Sequence, residues 1–267
     1  MQNPSSVRIC SAQIAGIWED PEKSLEKAGV FIQHAAASGA ALICFPEQFA
    51  TGWDPGSGKN LEDTSGLIVS SLRTFARNNQ IAVIGSFRKQ GNPLPENTAV
   101  VIDNEGRILT TYSKIHLFSP GDEQNGFSPG SELGIFTLGP LRCGMAICYD
   151  LRFPDLFRIY AQKGVQVVFV PAAWPHKRIH HWELFISARA AENQMYVAGV
   201  NTTGITPVDT YSGSSMTADP HGIIISRAND AEQLVFTDLD PVLVENARQS
   251  FPVEKDRKDA LYRTLSC

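Results

Sequence analysis

The chain has 267 residues, of which 43% are hydrophobic, and its mean hydropathy is −0.13. Its formal net charge is −5 and no run of lysines or arginines stands out, which argues against a nucleic-acid or anionic-membrane surface. No signal-peptide pattern or membrane-spanning stretch is recognisable, so we expect a cytoplasmic protein. The cysteines are odd in number and lack metal-ligand or secretory spacing, so free thiols are expected at Cys10, Cys44, Cys143, Cys148 and Cys267.

Strands and helices are predicted to alternate along the first half of the chain. Residues 7–15 form an apolar strand, and a helix follows that begins with Asp20 as N-cap and stops at Gly39. Residues 40–46 form a short buried strand that ends at Glu47. A helix at about 64–79 then precedes three strands, the last two joined by an Asp-Asn-Glu-Gly turn at 103–106.

The second half repeats this order of elements. A strand at 141–148 is followed by a helix at 153–163, a strand at 165–174 and a helix at about 180–194. Three further strands follow, and the last two are again joined by an Asp-x-x-Gly turn, at 219–222.

This repetition predicts an α/β protein, a four-layer αββα sandwich built from two pseudo-symmetric halves. No linker, low-complexity tract or shift of composition divides the chain, so residues 1–267 are expected to form a single domain. A doubly wound single sheet is the alternative, but two Asp-x-x-Gly hairpins fit it poorly.

Cys148 is the candidate nucleophile. It ends an apolar strand and precedes the polar segment Tyr-Asp-Leu-Arg, where a helix is predicted to begin. A cysteine at such an elbow is presented outward, and the helix N-terminus would stabilise a thiolate and offer N–H groups to an oxyanion. The alternative is a buried core cysteine, which is the interpretation adopted for Cys10, Cys44 and Cys143.

Three motifs carry a resemblance to a known family. They are Phe-Pro-Glu at 45–47, Tyr-Ser-Lys-Ile-His-Leu at 112–117 and Gly-Met-Ala-Ile-Cys-Tyr-Asp-Leu-Arg-Phe-Pro at 144–154. In this order they resemble the motifs of the nitrilase superfamily of carbon–nitrogen hydrolases. The resemblance covers nearly the whole chain, including His-Trp at 181–182, Ala-Arg-Ala-Ala-Glu-Asn-Gln at 188–194 and the tail at 251–262. It implies an αββα sandwich of the nitrilase type.

The resemblance also implies catalytic roles. Cys148 would attack an amide, and Glu47 would take the thiol proton, pass it to the leaving nitrogen and then activate water. Lys114 and the backbone N–H of Tyr149 would stabilise the tetrahedral oxyanion. Taken singly, Glu47 and Lys114 are more simply exposed residues at strand ends, and the three motifs together argue against that interpretation.

Glu123 lies nine residues after Lys114, in a polar, glycine-rich loop. It matches a second glutamate seen in many members of the superfamily, where it would position Lys114 or the substrate amide. A plain loop carboxylate is the competing interpretation, although loops on rigid scaffolds often carry function.

The substrate is suggested by Arg152, four residues beyond the nucleophile, because arginine binds a carboxylate through two parallel hydrogen bonds. In superfamily members that act on ω-amides of dicarboxylic acids, an arginine here holds the far carboxylate, and an aromatic residue, here Trp174, helps to wall the pocket. Arg178 would add positive charge. This stretch resembles bacterial ω-amidases, which hydrolyse α-ketoglutaramate or α-ketosuccinamate, with Ala173 as a departure from their pattern.

Other interpretations remain open from the sequence. Arg152 could form an ion pair with Asp150 or Asp155 instead of binding substrate. A nitrilase, an N-carbamoyl hydrolase or a deaminated-glutathione amidase would keep the same three catalytic residues. A non-catalytic binding subunit on the same fold is possible in principle. A metallohydrolase would have to use three histidines without a recognised zinc motif, namely His176, His180 and His181.

No cofactor is expected, because neither glycine-rich nucleotide-binding motif occurs. The expected partner is a small amide substrate, and no metal is assigned. The resemblance further implies a homodimer that pairs through the helix after Cys148 and the helix at 180–194. The apolar residues of the helix at 153–163 exceed what one packed face needs, which agrees with that interface.

Overall fold

The computed structural model describes residues 6–265, and within that range the chain forms fifteen strands and seven α-helices. The strands are β1 (Val7–Gln13), β2 (Leu42–Cys44), β3 (Leu61–Glu62), β4 (Ala82–Lys89), β5 (Glu96–Ile102), β6 (Ile108–Ser113), β7 (Ile135–Leu138), β8 (Leu141–Met145), β9 (Val167–Ala172), β10 (Tyr196–Asn201), β11 (Thr203–Ile205), β12 (Thr210–Ser212), β13 (Met216–Ala218), β14 (Ile224–Arg227) and β15 (Gln233–Leu239). The helices are α1 (Pro21–Ala37), α2 (Leu67–Asn79), α3 (Glu123–Gly126), α4 (Pro154–Gln162), α5 (Ile179–Asn193), α6 (Pro241–Ser250) and α7 (Asp259–Leu265).

The strands assemble into two large sheets of similar topology and one small ribbon. The first sheet has the order β15-β1-β2-β4-β5-β6 with β3 paired to β4, and the second has the order β14-β13-β10-β9-β8-β7. In each sheet three neighbouring strands are parallel (β1-β2-β4 and β8-β9-β10) and continue into two antiparallel strands. The predicted repetition of the two halves is therefore confirmed.

The first sheet is buried on both faces, as its alternating side chains show. Ile9 and Leu42 pack into the core shared with the second sheet, whereas Cys10 and Ile43 pack against α1 and α2. The core shared by the sheets also holds residues of α4 and α5, such as Phe157 and Ile186. The layers therefore run helix, sheet, sheet, helix, and the predicted αββα sandwich is confirmed.

Two equivalent turns close the antiparallel hairpins of the two halves. The side-chain oxygen of Asp103 accepts hydrogen bonds from backbone N–H groups at 2.8 and 3.0 Å, and that of Asp219 does so at 2.9 and 3.0 Å. Gly106 and Gly222 adopt φ values of 79° and 80°, a left-handed conformation that favours glycine. Both predicted Asp-x-x-Gly turns are therefore present.

Some element boundaries differ from the prediction for a local reason. Helix α2 begins at Leu67, three residues later than expected, because the Glu62 carboxylate accepts hydrogen bonds from the N–H groups of Ile68 and Val69, at 3.1 Å each. A side chain from a neighbouring strand thus satisfies the first turn of this helix. Helix α1 begins at Pro21 as predicted, with Asp20 accepting from Lys23 N.

The four cysteines within residues 6–265 are buried free thiols, whereas Cys267 and residues 1–5 lie outside the described part of the chain. None of the helices in residues 6–265 combines the length and hydrophobicity that crossing a bilayer requires.

The close contact between β10 and α5 can be tested by substitution of a glycine at the contact. A Cβ atom at Gly199 would lie 2.5 Å from Ile186 and 2.6 Å from Trp182, so Gly199→Ala is expected to overpack the core and to lower the free energy of unfolding by about 1–3 kcal/mol. Gly58→Ala is the control, because a Cβ there meets nothing within 4 Å. Urea unfolding of both variants measures the difference, and equal stabilities would contradict this packing.

Candidate active site

Cys148 lies at a sharp turn between a strand and a helix, as predicted. Strand β8 ends at Met145, a 3₁₀ turn spans Cys148–Arg152, and α4 begins at Pro154. The φ of Cys148 is 45°, in the left-handed region that a residue with a Cβ rarely adopts. Such a conformation costs about 1–3 kcal/mol and persists only where the surroundings fix it, which is typical of functional residues.

A buried carboxylate, that of Asp150, fixes this turn. Its Oδ2 accepts hydrogen bonds from Tyr112 Oη at 2.7 Å and from Ile147 N at 2.9 Å, and its Oδ1 accepts from His116 N at 2.8 Å. Asp150 thereby ties the end of the nucleophile strand to the segment that follows β6. From the sequence, Asp150 was considered only as an ion-pair partner of Arg152, and its role in fixing this turn was not predicted.

Arg189, on α5, supports the other end of the turn. Its Nε donates to Leu151 O at 3.0 Å and one of its terminal nitrogens donates to Arg152 O at 2.9 Å. The guanidinium also pairs with Glu192 at 2.9 Å. The motif at 188–194 therefore carries a residue that holds the carbonyl groups of the nucleophile turn.

Glu47 and Lys114 meet in the protein interior. Glu47 follows β2 and Lys114 follows β6, and their side chains form an ion pair of 2.8 Å while each residue is at most 2% exposed. The second oxygen of Glu47 accepts a hydrogen bond from Ala173 N, after β9, at 2.9 Å. The two residues are thus not exposed strand ends, and strands of both sheets position them.

Glu123 lies on the other side of Lys114. It is fully buried, its Oε2 lies 2.8 Å from Lys114 Nζ, and the same oxygen accepts from Phe118 N at 2.6 Å. Its other oxygen accepts from Trp53 Nε1 at 3.2 Å. The alternative of a plain loop carboxylate is therefore wrong.

Asn97, which the sequence analysis did not single out, links the two carboxylates. Its Nδ2 donates to Glu47 at 2.7 Å and to Glu123 at 2.9 Å. The only signal in the sequence is that Asn97 lies among the three polar residues with which β5 begins, and many strands begin in this way.

The electrostatics of the cluster favour a charged lysine and a neutral thiol. Burial lowers the pKa of Lys114, but the charges of Glu123 and Glu47 outweigh burial and raise the pKa above its ordinary value. Burial raises the pKa of Glu123, but Lys114 reverses this and holds it below the ordinary value. Burial first, and the charge of Glu47 second, raise the pKa of Cys148 well above its ordinary value. Burial and the neighbouring carboxylate thus favour the protonated thiol over the thiolate.

A cavity of about 390 Å³ opens above these residues. Its wall combines the cluster with aromatic and cationic side chains, and its residues are Glu47, Trp53, Lys114, Phe118, Cys148, Tyr149, Arg152, Ala173, Trp174, Pro175, Arg178 and Asp209. All the residues to which the sequence analysis gave a site role line this cavity except Glu123, which lies behind Lys114.

Arg152 stacks on aromatic rings in this cavity. Its guanidinium carbon lies 4.9 Å from the centre of the Trp174 ring and 5.2 Å from that of Phe185, and one terminal nitrogen lies 3.3 Å from His181 Nδ1. Within residues 6–265 neither Asp150 nor Asp155 pairs with it, since Asp150 holds the nucleophile turn and Asp155 binds Arg158. The proposed ion pair of Arg152 is therefore wrong.

Trp174 and Arg178 are linked to each other. Trp174 N donates to Asn201 Oδ1 at 2.7 Å, and Trp174 Nε1 donates to Arg178 O at 2.8 Å. The Arg178 guanidinium carbon lies 5.3 Å from the centre of the Phe118 ring. One of its terminal nitrogens, NH1, is buried and has no hydrogen-bond partner in the part of the chain that the structure describes.

The three histidines considered above as zinc ligands do not converge. The rings of His180 and His181 lie 4.1 Å apart, and His181 contacts Arg152. Within the described residues 6–265 no three histidine, cysteine, aspartate or glutamate side chains are grouped as a metal site.

Comparison with known proteins places the chain in a family. The family model for carbon-nitrogen hydrolases matches residues 7–249. The chain is 35% identical to 2-oxoglutaramate amidase from Bacillus subtilis over 244 residues, which cover 91% of this chain and 94% of that protein. It is 32% identical to human Omega-amidase NIT2 over 268 residues, with 95% of each chain covered.

Solved structures give the same result. A CN-hydrolase superfamily protein from Xanthomonas campestris superposes with a TM-score of 0.89 at 27% identity, over 95% of this chain and 97% of that one. An amidase from Nesterenkonia sp. superposes with a TM-score of 0.87 at 26% identity, over 99% and 98% of the two chains. The protein therefore belongs to the carbon-nitrogen hydrolase family and is an enzyme of that class.

Proposed function

We propose that the protein is an ω-amidase, which hydrolyses a small linear amide with a distal carboxylate, such as α-ketoglutaramate or α-ketosuccinamate, and releases ammonia. The observation that carries this proposal is the pair of arginines in the cavity of Cys148. Neither Arg152 nor Arg178 has a carboxylate partner among residues 6–265, so both guanidinium groups are free to bind an anionic substrate. The similarity to 2-oxoglutaramate amidase supports the same substrate class.

Acylation would begin with the Cys148 thiol in contact with the amide carbon. Because burial and Glu47 raise the pKa of the thiol, its proton has to pass to Glu47 as sulfur attacks. The tetrahedral oxyanion would be stabilised by Lys114 and by the backbone N–H of Tyr149. Glu47 would then return the proton to the leaving nitrogen, so that the C–N bond breaks, ammonia leaves and a thioester remains on Cys148.

Deacylation would use the same groups in the reverse direction. Glu47 would take a proton from a water molecule while the water oxygen attacks the thioester carbon. The C–S bond then breaks, the Cys148 sulfur recovers its proton from Glu47, and the carboxylic acid leaves. Glu123 and Asn97 would serve as positioning residues, since both hold the Lys114–Glu47 pair without facing the substrate cavity.

Selectivity for substrates of one length would come from the distance between Cys148 and Arg152, the two groups in the cavity that would hold the ends of the substrate. The amide would lie at Cys148 and the distal carboxylate at Arg152, whose guanidinium plane is held by Trp174 and Phe185. Cys148 and Arg152 line the same cavity, which suits a short chain with an amide at one end and a carboxylate at the other. Nitriles and carbamoyl compounds could use the same three catalytic residues, so ammonia release from a panel of ω-amides, nitriles and carbamoyl amino acids is the direct test.

The same proposal extends to the organisation of the protein. Residues 7–249 match one family, and the two sheets share a core, which supports a single carbon-nitrogen hydrolase domain over 1–267. Exposed apolar side chains on the two helices near the nucleophile, Ile159 on α4 and Leu184 on α5, support a homodimer through these helices. Free thiols support a cytoplasmic location.

The proposed roles of the catalytic residues predict two losses of enzymatic activity that differ in size. Cys148→Ala is expected to abolish turnover with the fold intact, because no thioester can form. Glu47→Gln and Lys114→Ala are each expected to lower kcat by at least ~10²-fold, the scale for a lost general base or oxyanion donor. Ammonia release and circular dichroism measure both effects. Substantial activity in folded Cys148→Ala would contradict the nucleophile.

The carboxylate clamp predicts a loss that depends on the substrate. Arg152→Lys keeps the charge but loses the planar fork, so kcat/KM for α-ketoglutaramate is expected to fall by roughly 10- to 100-fold, equivalent to about 1–3 kcal/mol. A neutral amide of the same length should be little affected. Arg227→Lys, at an exposed ion pair with Glu183, is the matched control. Equal losses for both substrates would remove the clamp and the main reason for preferring an ω-amidase.

The proposed dimer is tested at α5. Light scattering at micromolar concentration is expected to give twice the protomer mass for the unmodified chain and one protomer mass for Leu184→Glu, because a charge at an apolar interface is strongly unfavourable. Leu67→Glu, an exposed leucine on α2, should remain dimeric. An unmodified chain that is monomeric contradicts the dimer, and a dimeric Leu184→Glu contradicts this interface.

A further inference from the structure

A second cavity lies against the other side of Glu47. It has about 380 Å³ of empty space, part of it open to solvent, and shares three wall residues, Glu47, Trp53 and Ala173, with the cavity of Cys148. Cys148 and Lys114 do not line it; its wall continues instead through residues after β1, after Glu47 and around β11 and β12. Glu47 therefore borders both cavities, whereas Cys148, Arg152 and Arg178 line only the first.

One residue that lines this second cavity, Gln48, carries a hydrogen-bond donor without a partner in the described part of the chain. Gln48 is fully buried, its backbone N–H donates to Ser86 Oγ at 2.6 Å, and its Oε1 accepts from Arg88 Nε at 3.0 Å. Because a guanidinium can only donate, the amide oxygen must face Arg88 and the orientation of the amide is fixed. The Nε2 group of Gln48 is then left without an acceptor among residues 6–265.

A second polar group without a completed hydrogen bond lines the same cavity. Tyr211 is 4% exposed, and its hydroxyl lies near Thr206 but forms no hydrogen bond of normal distance and angle within residues 6–265. A buried polar group left unsatisfied costs about 1–3 kcal/mol. Two such groups on residues that line one cavity are typical of a site for water, which can both accept from Gln48 and bond to the tyrosine hydroxyl.

Hydrolysis of the thioester, the second half of the proposed reaction, needs a water molecule that approaches Glu47 from the second cavity. In the thioester intermediate the acyl chain would occupy the cavity from Cys148 to Arg152, so water would have little access from there. Glu47 is itself 2% exposed, and its Oε1 is already bound by Lys114 and Asn97. Its Oε2 is bound by Ala173 N, on the wall that the two cavities share.

We propose that the second cavity binds water and delivers it to Glu47 for hydrolysis of the thioester. This inference rests on the proposed function, because it requires an acyl-enzyme on Cys148. The water that enters loses one proton to Glu47 and its oxygen bonds to the acyl carbon. The C–S bond breaks, and the sulfur takes the proton from Glu47, so the cavity has to supply one water for each turnover.

The test narrows this cavity without altering the catalytic residues. Ala15 lines the second cavity but not the first, so Ala15→Leu should impede deacylation alone. We expect kcat to fall at least ~10-fold with kcat/KM within about twofold of the unmodified enzyme, because kcat/KM reports the steps up to ammonia release. A burst of one ammonia per protomer and a thioester mass adduct should accompany the fall. Ala37→Leu, exposed on α1, should change neither constant.

A second variant guards against a folding defect in Ala15→Leu. Tyr211→Phe keeps the shape of the wall and removes only the hydroxyl. It should therefore also slow deacylation and lower kcat more than kcat/KM. Unchanged kcat in both folded variants, or an equal fall of kcat and kcat/KM, would overturn the water route. Failure of the proposed function would appear differently, as an unmodified enzyme that releases no ammonia from the amide panel.

Discussion

The site depends on one buried ammonium group held between two carboxylates. Lys114 lies 2.8 Å from both Glu47 and Glu123, and none of the three is more than 2% exposed. Removing such charges from water costs several kcal/mol each, and mutual attraction offsets this only when the remaining hydrogen-bonding positions are filled. Here Asn97 and the backbone N–H groups of Ala173 and Phe118 fill them. A buried network is most stable when every member is satisfied, so losing one member affects them all.

This cluster explains why the two sheets have to pack as they do. Glu47 and Lys114 follow strands of the first sheet, whereas Cys148 and Ala173 follow strands of the second. Cys148 and Glu47 are thus brought together only by the contact between sheets, and the core between the sheets sets their separation. The same packing holds the strained turn of Cys148, through Asp150.

The sequence predicts those features whose signals are local. The Asp-x-x-Gly turns, the alternation of strands and helices, and the residues in three short motifs all belong to this group. The features it missed depend on partners far apart in the chain: Trp53 reaches Glu123 across 70 residues, and Asn97 reaches Glu47 across 50. Nothing near Asn97 in the sequence separates it from an ordinary strand-end asparagine. The raised pKa of Cys148 likewise depends on a partner far away in the chain, because Glu47 adds its negative charge to the effect of burial.

Starting from a neutral thiol, the proposed reaction would keep the buried charge of the site constant. With Lys114 positive and both glutamates negative, the cluster carries one net negative charge, and a resting thiolate would add a second in a site of low dielectric. If the proton moves to Glu47 as sulfur attacks, the new negative charge appears on the substrate oxygen while that of Glu47 disappears. The total negative charge close to Lys114 is therefore the same in the tetrahedral intermediate as before attack. It is the same again when water attacks the thioester. Proton transfer and bond formation are therefore coupled by the electrostatics of the cluster, and the lysine can stabilise each oxyanion without any change in its own protonation.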